Sequence, residues 1–238
     1  MPTVLVTGSR QGLGLEFVRQ FAAAGWRVYA TGVDLGDATE LQTIARGAPE
    51  RVTLHPLDVT DHPAVERFAR SLNGVAIDVL LNNAGVKGPE EQLFGAIDYA
   101  LWDQILRINV MGPMKMTECF VEHVARSQRK MVVMLASGLA SMQYNVPGTP
   151  GPVKGGLIYY RTSKSALNML VRNLALDLKP RGITVVGLVP GHVRTAQGGP
   201  DAPLSPEESI AGMRRQIDML GLADSGRYIL YTGKDYPW

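Results

Sequence analysis

The chain has 238 residues, of which 45% are hydrophobic and 19% charged, and its formal net charge is +2. This length can bury a substantial core, and so small a charge argues against nucleic acid or an anionic membrane surface as the main partner. The lone Cys119 suits a reducing compartment, no apolar run nears the roughly 20 residues that span a bilayer, and the opening MPTVLVTGSRQG lacks a signal-peptide pattern. We expect one cytoplasmic domain over residues 1–238, without a nucleic-acid or membrane partner.

Short β-branched runs alternate with longer helical patterns along the chain. Strands are predicted at 3–7, 27–31, 51–55, 77–82, 130–135, 183–189 and 227–232, and helices at 12–24, 37–46, 62–72, 99–126, 159–179 and 206–220. This alternation predicts an α/β fold with a doubly wound, mostly parallel seven-stranded sheet and helices on both faces. The irregular segments 138–158 and 190–205 follow strand ends, where ligands bind in such sheets.

A glycine-rich turn, TGSRQGLG, follows the first predicted strand and opens the first helix. Gly8, Gly12 and Gly14 would let the backbone approach an anion closely, and a helix N-terminus supplies free N–H groups and a positive dipole end. Alone, such a turn is weak evidence for a nucleotide site. Its place after the first strand of an alternating pattern strengthens the prediction.

The stretch YYRTSKSALNML places Tyr160 four residues before Lys164, on one face of an amphipathic helix. A neighbouring ammonium favours a phenolate, so we expect Lys164 to lower the pKa of Tyr160 and fit it for proton transfer near neutral pH. Taken alone, this spacing is more often structural, and Ser137, after the fifth strand, could be an ordinary turn residue. Tyr159 is the nearest competitor, but no lysine stands four residues after it.

Five motifs in order make the chain similar to the short-chain dehydrogenase/reductase family. They are TGSRQGLG (7–14), NNAG (82–85), RINVMGP (107–113), Ser137 with the Tyr160 and Lys164 pair, and PGHVRT (190–195). The resemblance covers essentially the whole chain. It implies a Rossmann-type fold, a nicotinamide dinucleotide cofactor, and interconversion of an alcohol and a carbonyl compound.

The resemblance also implies residue roles. Tyr160 would be the general acid/base and Ser137 would hydrogen-bond the substrate oxygen; Lys164 would also hold the nicotinamide ribose, and Asn109 would support a water linking Lys164 to solvent. The implied cofactor contacts are Thr7, Gly8, Ser9, Arg10, Gly12, Leu13, Gly14, Asp58, Val59, Asn82, Asn83, Ala84, Gly85, Tyr160, Lys164, Pro190, Gly191, Val193 and Thr195. Asp58 is either a helix-start residue or a partner of adenine, and we favour the latter. Thr7 and Thr195 could instead be strand-end polar groups.

Two later segments, PGHVRTAQGGPDAPLSPEES and GRYILYTGKDYPW, resemble the C-factor and sniffer carbonyl-reductase branch of the family. That branch typically has a tryptophan at the position of His192 and an acidic residue at that of Ala196, so its substrates cannot simply be transferred. We expect an apolar or aromatic carbonyl substrate, with Tyr144 and Val146 as candidate pocket residues.

The leading interpretation is an NAD(P)-dependent oxidoreductase with Tyr160 as its general acid/base. The alternative is a nucleotide-binding regulatory or signalling protein of C-factor type with little or no turnover. The presence of Ser137, Tyr160, Lys164 and Asn109 argues against that alternative, because a protein without turnover would not need all four. An epimerase ranks last, because the chain lacks the longer C-terminal substrate domain of such enzymes.

The choice between NADP(H) and NAD(H) depends on VYATGVD, at the end of the second strand. Gly32 and Val33 stand where relatives carry the deciding acidic and basic residues. Asp34 could swing back and favour NAD, whereas Ser9 and Arg10 could form an anion site for a 2′-phosphate. NADP(H) is slightly favoured.

Assembly and metal binding are the last expectations. Residues 99–126 and 159–179 are apolar around more of their circumference than one core face requires. As in the family, this predicts a homodimer or homotetramer. The four histidines show no metal-ligand spacing, so no metal is expected.

Overall fold

The computed structural model describes residues 1–146 and 155–238. Seven strands form one sheet in the order β3-β2-β1-β4-β5-β6-β7, and all six strand pairings are parallel. The strands are β1 (Thr3–Val6), β2 (Arg27–Gly32), β3 (Val52–Pro56), β4 (Val79–Asn82), β5 (Met131–Leu135), β6 (Thr184–Val189) and β7 (Tyr228–Leu230). The predicted α/β fold is confirmed, with a sheet that is parallel throughout its strand pairings.

Within the described residues, seven α-helices cover the two faces of this sheet. They are α1 (Gly12–Ala23), α2 (Thr39–Gly47), α3 (His62–Ser71), α4 (Tyr99–Leu106), α5 (Gly112–Arg126), α6 (Ile158–Leu178) and α7 (Pro206–Met219). Phe17 of α1 and Ile210 of α7 share one buried cluster, whereas Phe120 of α5 and Leu167 of α6 share another. Side chains alternate across a strand, so Val4 joins the first cluster and its neighbour Leu5 the second.

The predicted continuous helix 99–126 is interrupted by a π-helical turn at Arg107–Met111. The Gly112 N–H donates to the carbonyl of Arg107, five residues back. Pro113 has no N–H and cannot donate to the carbonyl four residues before it, which belongs to Asn109. Single π turns of this kind are frequent at functional sites. The turn separates α4 from α5 and contains a predicted site residue.

The irregular segments flank the carboxyl edge of the sheet, as predicted. Gly138–Ala140 form a 3-10 turn directly after β5. Residues 147–154 of the predicted loop 138–158 lie outside the described residues. Within the described part of the chain, no helix is both long and apolar enough to cross a membrane.

Candidate active site

A cleft of about 1090 Å³ opens at the carboxyl edge of the sheet. Its walls come mainly from the loops that follow β1 to β6 and from the start of α6. Loops after parallel strands meet at this edge, so residues far apart in sequence become neighbours. The predicted residues that line the cleft are Gly8, Arg10, Gly12, Leu13, Gly14, Asp58, Val59, Asn83, Ala84, Gly85, Ser137, Tyr160, Lys164, Pro190, Gly191, Val193 and Thr195.

The glycine-rich turn forms the floor of one end of the cleft. Gly8 and Gly12 have φ values of 68° and 58°, which side-chain-bearing residues rarely adopt. A Cβ on Gly14 would lie 2.1 Å from the Gly8 carbonyl oxygen, so that position excludes any side chain. The N-cap of α1, Gln11, makes no side-chain capping bond, so the first N–H groups of the helix are left for another acceptor. These features fit a dinucleotide pyrophosphate at the helix N-terminus.

Three predicted cofactor contacts, Thr7, Ser9 and Asn82, lie behind the cleft wall instead of on it. The Thr7 hydroxyl accepts the backbone N–H groups of Asn83 and Ala84, both at 3.0 Å. Ser9 is fully buried and donates its hydroxyl to the Val6 carbonyl at 2.9 Å, so it offers no donor to a phosphate. Asn82 is buried too, with its amide 3.4 Å from the Thr117 hydroxyl. These side chains shape the loops that carry the contacts.

Asp58 lines the cleft and does not cap the helix that follows it. Its carboxylate accepts the backbone N–H and the hydroxyl of Thr60, both at 2.8 Å. The N-cap of α3 is Asp61, whose side chain accepts the Ala64 N–H. The helix-start interpretation of Asp58 is therefore wrong.

The two neighbouring tyrosines at the start of α6 point in different directions. Tyr159 is buried, stacks on Trp102, and accepts the Asp98 N–H at its hydroxyl at 2.7 Å. Tyr160 lines the cleft, where its hydroxyl lies beside the side chain of Ser137. Because successive helix residues are rotated by about 100°, only one of the pair can face the open edge of the sheet.

Lys164 lies one turn beyond Tyr160 and is almost fully buried. Its Nζ donates to the Leu135 carbonyl at 2.8 Å and lies 5.9 Å from the centroid of the Tyr160 ring. A Cβ on Gly85 would be 3.3 Å from both this Nζ and the Oδ1 of Asn109. The absence of a side chain at Gly85 therefore keeps the space beside the ammonium open.

The pKa of Tyr160 moves opposite to the sequence prediction. Burial raises it, and the neighbouring Ser137 side chain opposes this rise only in part. Burial also lowers the pKa of Lys164 from 10.5 to about 8. Desolvation, which no sequence spacing reveals, thus outweighs the expected effect of the lysine on the tyrosine. The phenol is protonated at neutral pH and ready to donate.

Asn109 does not line the cleft but supports its wall from within the π-helical turn. Its amide donates to the Val86 carbonyl and the Ser163 hydroxyl, and its Oδ1 accepts the Val86 N–H, all at 2.8–2.9 Å. The side chain ties the loop after β4 to α6. It therefore holds the Gly85 region against the helix that carries Tyr160 and Lys164.

The family model for short chain dehydrogenases matches residues 2–202 of this chain. The chain belongs to the short-chain dehydrogenase family. The family assigns it to the NAD(P)-dependent oxidoreductases that interconvert carbonyl compounds and alcohols.

This short-chain dehydrogenase is similar to proteins of the predicted C-factor and sniffer carbonyl-reductase branch. The C-signal protein of Myxococcus xanthus is 39% identical over 171 residues, which cover 72% of this chain and 98% of that protein. The carbonyl reductase Sniffer of D. melanogaster superposes with a TM-score of 0.91 at 27% identity, over the whole of both chains. The NADPH-bound carbonyl reductase from chicken fatty liver superposes with a TM-score of 0.90 at 28% identity, over 100% of this chain and 99% of that one.

The dehydrogenase also has cleft residues that the motifs did not reveal. Tyr236 lines the cleft, packs edge-on against Tyr144 with ring centroids 5.4 Å apart, and covers Gly138. Gln197, from the loop after β6, donates to the Gly85 carbonyl at 2.9 Å across the cleft. Val146, a predicted pocket residue, is exposed and does not line the cleft. The sequence signal for Tyr236 is limited to the aromatic ending DYPW, because Tyr144 and Gly138, which Tyr236 contacts, are far from it in sequence.

At the cofactor end of the dehydrogenase, the candidate selectivity residues occupy different positions. Arg10 and Val33 line the cleft, whereas Asp34 is exposed with a left-handed φ of 48° and lies outside it. In the described part of the chain, no cluster of His, Cys, Asp or Glu could hold a metal ion.

Proposed function

We propose that this short-chain dehydrogenase reduces an apolar or aromatic carbonyl compound to an alcohol, preferring NADP(H), with Tyr160 as the general acid. The observation that carries the proposal is that the Ser137 and Tyr160 side chains lie beside each other on the cleft wall, one turn from Lys164. Two hydroxyl groups so placed can both reach one substrate oxygen.

The proton chemistry follows from these contacts. A nicotinamide, when bound, supplies the hydride. Tyr160 donates its proton to the carbonyl oxygen as negative charge develops there, and Ser137 donates a hydrogen bond to the same oxygen. Burial keeps Tyr160 protonated near neutral pH, which favours reduction; the reverse reaction requires the phenolate. The same residues, with the proton moving the other way, would serve alcohol oxidation.

Lys164 would hold the nicotinamide ribose and stabilise the charge left on Tyr160 after it donates. Its ammonium has a donor engaged by the Leu135 carbonyl, which leaves two N–H donors for the ribose and water. The Asn109 carbonyl, which Pro113 cannot bond, is a suitable acceptor for a water that links Lys164 to solvent. This route would return a proton to the site.

The proposed substrate class follows from the apolar and aromatic side chains of the cleft. Leu139, Leu157, Tyr144 and Tyr236 line it. Aromatic rings favour apolar or planar groups by burying area and by offset or edge contacts. We place both sites in one domain over residues 1–238 and expect a cytoplasmic protein.

The deciding experiment measures oxidation of NADPH by the purified protein with a panel of ketones, aldehydes and quinones. Binding of NADPH is measured alongside by fluorescence titration. Turnover of apolar or aromatic members supports the proposal. If NADPH binds but no panel member is reduced, the protein is a nucleotide-binding regulatory protein of the C-factor type instead.

Cofactor preference is tested with an Arg10→Ala variant. If Arg10 contacts the 2′-phosphate, its loss should raise the Kd for NADPH about tenfold and leave the Kd for NADH nearly unchanged, because charge-assisted hydrogen bonds are worth about 1.5–3 kcal/mol. Asp34→Ala is the matched control and should change neither value. Equal effects of Arg10→Ala on both cofactors, or a wild-type preference for NADH, would contradict the NADP(H) proposal.

The oligomeric state is tested by light scattering at micromolar concentration. Tyr99, Met111, Met169 and Leu176, along the helical segments 99–111 and 158–178, are 73%, 45%, 60% and 72% exposed. Burying this apolar surface between subunits is favourable, so we expect a dimer or tetramer. A paired Met169→Glu, Leu176→Glu variant should shift the mass towards the monomer. A monomeric wild type would rule out the proposed assembly.

A further inference from the structure

The main chain of Ser137 is held by a residue outside the family motifs. Its carbonyl oxygen accepts the Ala140 N–H at 2.9 Å and also the hydroxyl of Tyr228. Tyr228 belongs to β7, 91 positions further along the chain. One anchor is thus local to the 3-10 turn, and the other comes from the far edge of the sheet.

The phenol of Tyr228 is itself firmly fixed. The residue is only 2% exposed. Its ring stacks on Trp238 with centroids 5.0 Å apart and meets Tyr236 nearly edge-on at 5.4 Å. A ring packed on two sides cannot turn its hydroxyl away from Ser137 without displacing its neighbours.

A second polar group, from helix α6, contacts the same hydroxyl. Asn168 is buried, and its side chain lies close enough to the Tyr228 hydroxyl to lower the pKa of that phenol against the effect of burial. Tyr160, Lys164 and Asn168 are spaced four residues apart and share one face of the helix. A phenol has one proton to donate. Tyr228 donates this proton to the Ser137 carbonyl.

We propose that Tyr228 is a positioning residue for the reaction: by holding the Ser137 carbonyl, it keeps the Ser137 hydroxyl at the substrate oxygen. The proposal rests on the proposed role of Ser137. Catalytic hydrogen bonds depend steeply on placement, and a misplacement of about 1 Å can reduce the rate about 10²-fold. With the Ala140 anchor still in place, loss of the Tyr228 hydroxyl should cost about tenfold in kcat.

The experiment compares Tyr228→Phe in two backgrounds, wild type and Ser137→Ala, using single-turnover reduction of a substrate found in the panel. The phenylalanine keeps the packed ring and removes only the hydroxyl. In the wild-type background we expect the single-turnover rate constant to fall about tenfold, with an unchanged Kd for NADPH. In the Ser137→Ala background the same change should alter the rate less than about twofold, because no serine hydroxyl remains to be positioned. Tyr29→Phe removes the hydroxyl of a buried tyrosine on β2 and should leave the rate unchanged in either background.

The outcomes distinguish this proposal from the proposed function on which it rests. Equal losses from Tyr228→Phe in both backgrounds would assign Tyr228 a general packing role and overturn the inference. A neutral Tyr228→Phe beside a damaging Ser137→Ala would overturn the inference and leave the proposed chemistry intact. A harmless Ser137→Ala would overturn both.

Discussion

A Tyr160→Phe variant is expected to bind NADPH almost normally and to lose at least ~10²-fold in kcat, as expected when a general acid is removed. The ring remains to line the cleft, and only the hydroxyl beside Ser137 is lost. The measurement is kcat with the best panel substrate, together with the Kd for NADPH.

The neighbouring tyrosine provides a matched control for this change. Tyr159→Phe removes the acceptor of the Asp98 N–H inside the protein, so it should lower thermal stability and leave kcat close to the wild-type value. The two variants differ by one position on the same helix. Near-normal kcat in Tyr160→Phe would refute the proposed mechanism.

A Lys164→Ala variant is expected to lower kcat at least ~10²-fold and to raise the Kd for NADPH about tenfold, because one ammonium serves two partners in the proposed mechanism. Lys179→Ala, which removes an exposed lysine just after the same helix, is the control and should change neither value. An unchanged Kd in Lys164→Ala would remove the ribose contact from the mechanism.

The depressed pKa of Lys164 adds a stability measurement to the same test. The folded protein releases this proton near pH 8, whereas the unfolded chain holds it to about 10.5. Between these values the unfolded chain binds more protons, so the free energy of unfolding contains a contribution that rises with pH. Lys164→Met should remove that contribution, which urea unfolding at about pH 7 and about pH 10 would detect. If the free energy of unfolding depended on pH identically in both proteins, burying the Lys164 ammonium would cost no stability.

The features that sequence predicted best depend on local spacing. Lys164 stands four positions after Tyr160, and two residues at this spacing share a face in any α-helix. Their common face could therefore be predicted from the sequence. Gly14 was placed correctly because the turn into α1 has no room for a side chain. The alternation of strands and helices predicted a parallel sheet, since parallel strands need long crossover connections, which are usually helices.

The features that sequence missed depend on side-chain direction and long-range packing. Nothing in TGSRQG distinguishes Arg10, which faces the cleft, from Ser9, which bonds to the Val6 carbonyl behind it. Tyr228 and Tyr236 reach the site only because β7 is added beside β6. The raised pKa of Tyr160 comes from burial, and burial is a property of the assembled cleft.

The bond from Tyr228 to Ser137 makes turnover dependent on the last strand of the sheet. Thr7 and Asn83 tie the glycine-rich turn to the loop after β4 without any residue of β7. The serine anchor, in contrast, forms only where β7 lies beside β6. Turnover would therefore report that the edge strand has docked.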